Sequence, residues 1–209
     1  SFLPWIKKDY VTPEMFGAVG DGVHDDTNAV QYCIDNFPNI LFTKTYKITK
    51  PIKIENKTGR SIIGKGATIK CIECTGFTIK ESETIKIDGI TLLGESKGFP
   101  AFDLYEMKWR SYIRNCCISG FSVGIKTNVF DGCLVASIEN LYIIKCLYAI
   151  DDSAGGLQGT QFIGGRIENN MNGILIASPN VVFTGTIIEG NTKYDVKMIN
   201  TFNGGVARS

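Results

Sequence analysis

The chain has 209 residues, 44% of them hydrophobic and 21% charged, and its 22 Lys and Arg stand against 21 Asp and Glu for a formal net charge of +1. That length suits one domain, or two small ones, with a substantial core, and the charge balance supplies no general attraction to nucleic acid or to an anionic membrane. No apolar run approaches the length of a transmembrane helix, and no basic start followed by an apolar stretch marks a signal peptide.

The composition is skewed toward strands. There are 28 Ile against 10 Leu and 9 Ala, beside 23 Gly, 17 Thr and 14 Asn. Ile and Thr favour extended backbone, Leu and Ala favour helix, and Gly and Asn adopt the positive φ of tight turns. A helical bundle is excluded, and a doubly wound α/β fold is disfavoured.

In chain order, the first regular element is a helix. Asp25-Asp26-Thr27 offers capping side chains, and Ala29, Val30, Cys33 and Ile34 follow as one apolar stripe. The helix is expected from about Asp26 to Asn36, with Pro38 ending it. Everything after about Asn39 reads as short strands punctuated by Gly, Asn and charge. The expected organisation is therefore an N-terminal segment with a capping helix over residues 1–38 and a β domain over 39–209.

The strands repeat. Ile62-Ile63-Gly64, Ile87-Asp88-Gly89, Ile113-Arg114-Asn115, Ile138-Glu139-Asn140, Phe162-Ile163-Gly164 and Phe183-Thr184-Gly185 align at spacings of 25, 26, 25, 24 and 21 residues. The third member is Gly or Asn in all six copies, the two residues that turn through a left-handed conformation most cheaply. Three residues past that turn lie Leu92, Ile118, Ile143, Ile167 and Ile188, and two further on Gly94, Gly120, Lys145, Asn169 and Gly190. A third strand repeats through Ile125, Ile150, Ile174 and, slipped by one, Val196. Three short strands in about 24 residues leave no room for a helical crossover. The pattern predicts an all-β parallel β-helix of about six rungs, each adding about 4.8 Å of height, with the N-terminal helix as its cap. No equivalent cap follows Met198. That absence leads to the expectation that another chain covers this end, or that the protein is longer.

The seven cysteines are odd in number and follow no regular framework, which points to a reducing compartment. Cys71-Ile72-Glu73-Cys74 has zinc-like spacing but no second pair, and the single histidine, His24, lies elsewhere. Buried, apolar cysteines are expected, with no metal and no cofactor.

The run Phe16-Gly17-Ala18-Val19-Gly20-Asp21-Gly22-Val23-His24-Asp25-Asp26-Thr27-Asn28-Ala29-Val30-Gln31 resembles the N-terminal signature FGAxGDGxxDDTxAxQ of the pectate-lyase-like, right-handed β-helix superfamily. With Val11-Thr12-Pro13-Glu14 before it, the segment is most similar to bacteriophage tail spike and polysaccharide depolymerase proteins. In such families the motif builds the cap and first turn, so Asp21, Asp25 and Asp26 are expected to form turns and cap the helix. The resemblance implies a homotrimer at the virion tail, alongside other tail proteins. It would be assembled in the host cytoplasm and act at the host cell surface, binding and often cleaving a host polysaccharide, with no nucleic acid and no membrane insertion. Two alternatives stand beside it: a non-enzymatic receptor-binding or structural virion component, and a free-standing pectin-type hydrolase or lyase. The missing signal sequence and odd cysteine count disfavour the latter.

The repeat register also places side chains on faces. If the second Ile column points inward, Tyr142, Arg166 and Ile187 form one outward column and Ile144, Glu168 and Glu189 the next. Glu168 and Glu189 would then stack on adjacent rungs, with Arg166 able to bridge them. A carboxylate pair suits glycoside hydrolysis, and crowding of like charges is expected to raise one of the two pKa values. An eliminating lyase would instead use a base beside a cation that neutralises a uronate, a role open to Arg166. Tyr142 offers a stacking face for a sugar, while Ile144 and Ile187 beside it suggest subunit contact. Trp109, Arg110 and Arg114 form a second, basic and aromatic group suited to an acidic glycan. Asp151-Asp152 reads as a bend, with calcium a remote option.

Overall fold

The computed structural model describes residues 10–95, 98–130 and 137–199. The strands stack in three parallel ladders, each climbing through seven turns. The first begins at Asn39–Phe42, passes through the opening halves of the long strands Thr58–Cys71 and Ser82–Gly94, and continues with Tyr112–Arg114, Ser137–Glu139, Gln161–Ile163 and Val182–Thr184. The second runs from Thr45–Ile48 through the closing halves of those long strands to Cys117–Ser119, Tyr142–Ile144, Arg166–Glu168 and Ile187–Glu189. The third holds Ile52–Glu55, Phe77–Lys80, Pro100–Leu104, Val123–Thr127, Tyr148–Asp152, Asn172–Ile176 and Val196–Met198. The fold is thus the expected parallel β-solenoid, with one turn more than the repeat revealed.

The additional turn is the first. Ile40 pairs with Ile62 and belongs to the same interior column, but two residues on stands the buried Phe42 rather than Gly or Asn. The remaining registers follow the sequence alignment: Ile62, Ile87, Ile113, Ile138, Phe162 and Phe183 are partners in succession, as are Leu92, Ile118, Ile143, Ile167 and Ile188. Aliphatic stacking is reinforced by aromatic stacking, with ring centroids 5.6 Å apart for Phe77 and Phe102 and 4.8 Å for Phe162 and Phe183.

The corner between the first and second ladders is left-handed at Gly89, Asn115, Asn140, Gly164 and Gly185. At Gly64 the bend moves two residues on, to Gly66, where the long strand shifts register. At the next corner Lys145 holds φ 56° beside Gly120, Asn169 and Gly190, although a lysine gains nothing from that conformation.

The helix Thr27–Asn36 buries Thr27, Val30, Cys33 and Ile34 over the first turn. Asp25 accepts hydrogen bonds from the Thr27 backbone N–H, the Thr27 hydroxyl and the Thr49 hydroxyl. Asp26, at the N-cap, turns its carboxylate away to the backbone N–H groups of Val19 and Gly20, at 2.8 and 3.1 Å. Asp21 accepts from the N–H groups of Val23 and His24. These three acids tie loop, helix and first turn together. Apart from Cys133, which lies outside the described residues, the cysteines are buried or half-buried. Among the described residues no group of His, Cys, Asp or Glu side chains can hold a metal ion. No described helix is long and apolar enough to cross a membrane.

Candidate functional site

Tyr142, Arg166, Glu168 and Glu189 come together on the outer face of the second ladder, on three consecutive turns. Inward Ile143, Ile167 and Ile188 fix this arrangement, because alternation along each three-residue strand sends the residues on either side outward. Tyr142 is directly beside Arg166, Arg166 beside Ile187, and Glu168 beside Glu189.

Arg166 bridges the two acids. Its Nη2 lies 2.8 Å from Glu168 Oε2 and 2.8 Å from Glu189 Oε1, and its Nε lies 3.2 Å from Glu168 Oε2. Two such contacts to one nitrogen keep those oxygens within twice 2.8 Å of each other. The other Glu168 oxygen accepts a 2.9 Å hydrogen bond from the Tyr142 hydroxyl. Glu168 is the sheltered member, its side chain 16% exposed against 61% for Glu189.

This geometry sets the protonation states. The Arg166 guanidinium, with the Tyr142 hydroxyl second, lowers the Glu168 pKa below the ordinary glutamate value. Crowding alone predicts the opposite at this carboxyl; charge-assisted hydrogen bonding wins because the cation lies between the acids. The Tyr142 phenol moves the other way: its hydrogen bond to Glu168 raises its pKa. The group therefore contains an ionised carboxylate, a retained phenolic proton and a cation, all in hydrogen-bonded sequence. Sequence reasoning assigned Tyr142 a stacking face; the hydroxyl contact depends on a rotamer that no residue pattern specifies.

Trp109, Arg110 and Arg114 lie on the first-ladder side, two of them in the bend between Met107–Lys108 and Tyr112–Arg114. Arg114 is committed to its own surroundings. Its Nε donates at 2.8 Å to Asp88, and its guanidinium sits 4.4 Å from the Tyr112 ring centroid. Trp109 is 62% exposed, and both Trp109 and Arg110 hold left-handed backbone. The structure records no contact between these residues and the Arg166 group. Asp151 and Asp152 end the strand Tyr148–Asp152 instead of forming a loop, and Asp152 is fully buried.

No family profile matches the chain. In sequence it is similar to a capsule K30/K69-specific depolymerase of Klebsiella phage K64-1, 28% identical over a region covering 54% of this chain and 18% of that protein. The chain thus spans less than a fifth of that relative's length. Among solved structures it is similar to PfbA, a surface adhesin of Streptococcus pneumoniae, with a TM-score of 0.59, 16% identity, and coverage of 85% of this chain and 62% of that one. At that identity the likeness is one of fold. ORF18 of Geobacillus virus E2 aligns with a TM-score of 0.32 and 16% identity, over 83% of this chain and 52% of that one, too low a score to carry an argument.

Proposed function

We propose that this chain is the β-helical part of a bacteriophage tail protein that binds and cleaves a polysaccharide of the host cell surface. The sequence similarity to a phage capsule depolymerase supports the substrate class. The observation that carries the chemistry is the hydrogen-bonded series Tyr142–Glu168–Arg166–Glu189.

The series favours elimination over hydrolysis. A hydrolase of the two-carboxylate type needs one acid to hold a proton, whereas here the Arg166 cation lies between both carboxylates at 2.8 Å and the proton is carried by the Tyr142 phenol. In an elimination, Arg166 neutralises the carboxylate of a uronate and Glu168 takes the acidified ring proton. The electrons of the broken C–H bond form a carbon–carbon double bond as the glycosidic C–O bond breaks, and the Tyr142 phenol protonates the departing oxygen. Glu168 then carries the extra proton and Tyr142 lacks one; transfer along their 2.9 Å hydrogen bond restores both. Glu189 shares the cation and keeps it over the pair.

Elimination leaves a conjugated, unsaturated uronate whose ultraviolet absorbance grows in step with new reducing ends. Reducing ends without that absorbance would mean hydrolysis. Tyr142→Phe is expected to suppress the absorbance while polysaccharide binding persists.

A second reading, a non-enzymatic receptor-binding role, draws on the apolar side chains around the charged group. Ile187, the register partner of Arg166, and Ile163 and Val182, on paired strands of the first ladder, are more than two-fifths exposed. We assign that patch to contact between copies in a homotrimer, beside other virion tail proteins. On either reading residues 1–38 act as the cap of a β-helix over 39–209.

A further inference from the structure

Cys71 and Cys74 lie at the bend that joins the second ladder to the third on the second turn. Cys71 ends the long strand Thr58–Cys71, with Ile48 and Gly94 as its register partners on either side. Cys74 follows after Ile72 and Glu73, shortly before the strand Phe77–Lys80 opens.

The bend folds back on itself. Ile72 donates its backbone N–H to the Ile48 carbonyl at 2.9 Å, and Glu73 turns through left-handed backbone at φ 49°. Cys74 thereby returns to the same carbonyl, its Sγ 3.6 Å from the Ile48 oxygen. The Cys71 thiol in turn donates a hydrogen bond to the Cys74 sulfur. Two thiols thus meet across one bend, both residues more than nine-tenths buried.

This pair differs from other buried cysteines of the chain. Burial pushes the Cys33 thiol up to about 11 and the Cys116 thiol up to about 12, so both keep their protons. At Cys74 the hydrogen bond from Cys71 outweighs desolvation and lowers the pKa, while the same bond and burial raise that of Cys71. One thiol is inclined to ionise, and a protonated thiol stands beside it. Zinc would need further ligands, and among the described residues no third His, Cys, Asp or Glu joins the pair. Oxidation is the chemistry the two sulfurs can share.

We propose that Cys71 and Cys74 form a redox modification site, which a small disulfide oxidises to an intramolecular bridge across the bend. The thiolate of Cys74 attacks one sulfur of the small disulfide, whose S–S bond breaks, and one small thiol leaves with the proton Cys74 has lost. The Cys71 sulfur then displaces the second small thiolate from Cys74 and gives it its proton. The two protein thiols lose two electrons and two protons, and the small disulfide becomes two thiols. A reducing cytoplasm holds the pair open, and an oxidising exterior closes it. Nothing in this chemistry depends on the polysaccharide reading.

The test incubates the full folded chain with oxidised glutathione, alkylates the remaining thiols and digests with trypsin. Cleavage after Lys70 and Lys80 releases a peptide, Cys71–Lys80, that carries these two cysteines and no others. It is expected to be two hydrogens lighter and unalkylated, and to take two labels again after dithiothreitol, while the Cys33 peptide stays alkylated throughout. Cys71→Ser is expected to stop at a glutathione adduct on Cys74, and Cys74→Ser to react at Cys71 at least about ten-fold more slowly. The wild-type digest decides the proposal even where a serine variant does not fold. A doubly alkylated peptide from the folded chain, a bridge that forms only in urea, or a disulfide joining two chains would overturn it. Equal rates for the two folded serine variants would do the same.

Discussion

Thr127 and Asp152 meet inside the third ladder, one turn apart, with Thr127 Oγ1 donating a 2.8 Å hydrogen bond to Asp152 Oδ1. Both stand in the interior column that is Ile54, Ile79 and Leu104 above and Ile176 below. Asp152 also accepts from the backbone N–H groups of Gly156, Leu157, Ala177 and Ser178. A fully buried carboxylate thereby pins the returning segments of two successive turns.

Asp152→Ala would strand those donors in a water-free site, at a cost of about 3–5 kcal/mol. At about 2–4 °C per kcal/mol for a chain of this size, the midpoint of thermal unfolding should fall by roughly 6–20 °C. Asp151→Ala, at the half-exposed neighbouring position, should stay within about 0.5 kcal/mol of the parent. Thermal or denaturant unfolding of the two variants checks the contrast.

Lys145 is a site of removable strain. Its left-handed backbone costs a lysine about 1–2 kcal/mol more than it costs glycine, and the equivalent corner one turn below is Asn169. Lys145→Asn is expected to raise stability by about 0.5–1 kcal/mol, read as a higher denaturant midpoint with an unchanged slope.

The depressed pKa of Glu168 has a pH signature. A carboxyl whose folded value lies below its unfolded value, about 4.3 for Glu, stabilises the fold fully above that unfolded value and loses the contribution as pH falls through the folded one. Asp25 behaves alike: desolvation pushes its pKa up, but the hydrogen bonds from Thr27 and Thr49 and the nearby Lys47 outweigh it and leave it lowered. Acid unfolding should therefore steepen below about pH 4. Carboxyl NMR should show Glu168 titrating below an ordinary glutamate, and Arg166→Ala should move it upward.

The exposed Ile163, Val182 and Ile187 give the oligomer a test. Sedimentation is expected to show a trimer, and Ile187→Asp to shift it toward smaller species while circular dichroism of the β-helix stays unchanged. A wild-type monomer at all concentrations would remove the proposed subunit contact.

Much of the solenoid was legible because a corner needing left-handed backbone stamps Gly or Asn onto the sequence once per turn. The first turn escaped because Phe42 occupies that position, buried with its ring centroid 5.2 Å from that of Tyr46. The outward pairing of Glu168 with Glu189, and the Arg166 bridge, followed from register alone. The ionisation of Glu168 did not, since it depends on where a guanidinium and a phenol come to rest. Asp152 looked like a loop acid because a lone carboxylate in an apolar column breaks the alternation that marks a strand.

The central claim is that the Tyr142–Glu168–Arg166 series cleaves a host-surface polysaccharide. Its most direct test is to incubate purified capsular polysaccharide with the wild-type chain and with Glu168→Gln, following polymer size and unsaturated uronate together. The account predicts that the wild type shortens the polymer as absorbance rises, and that Glu168→Gln still binds it but cleaves at least about a hundred-fold more slowly. Equal cleavage by both proteins would contradict it.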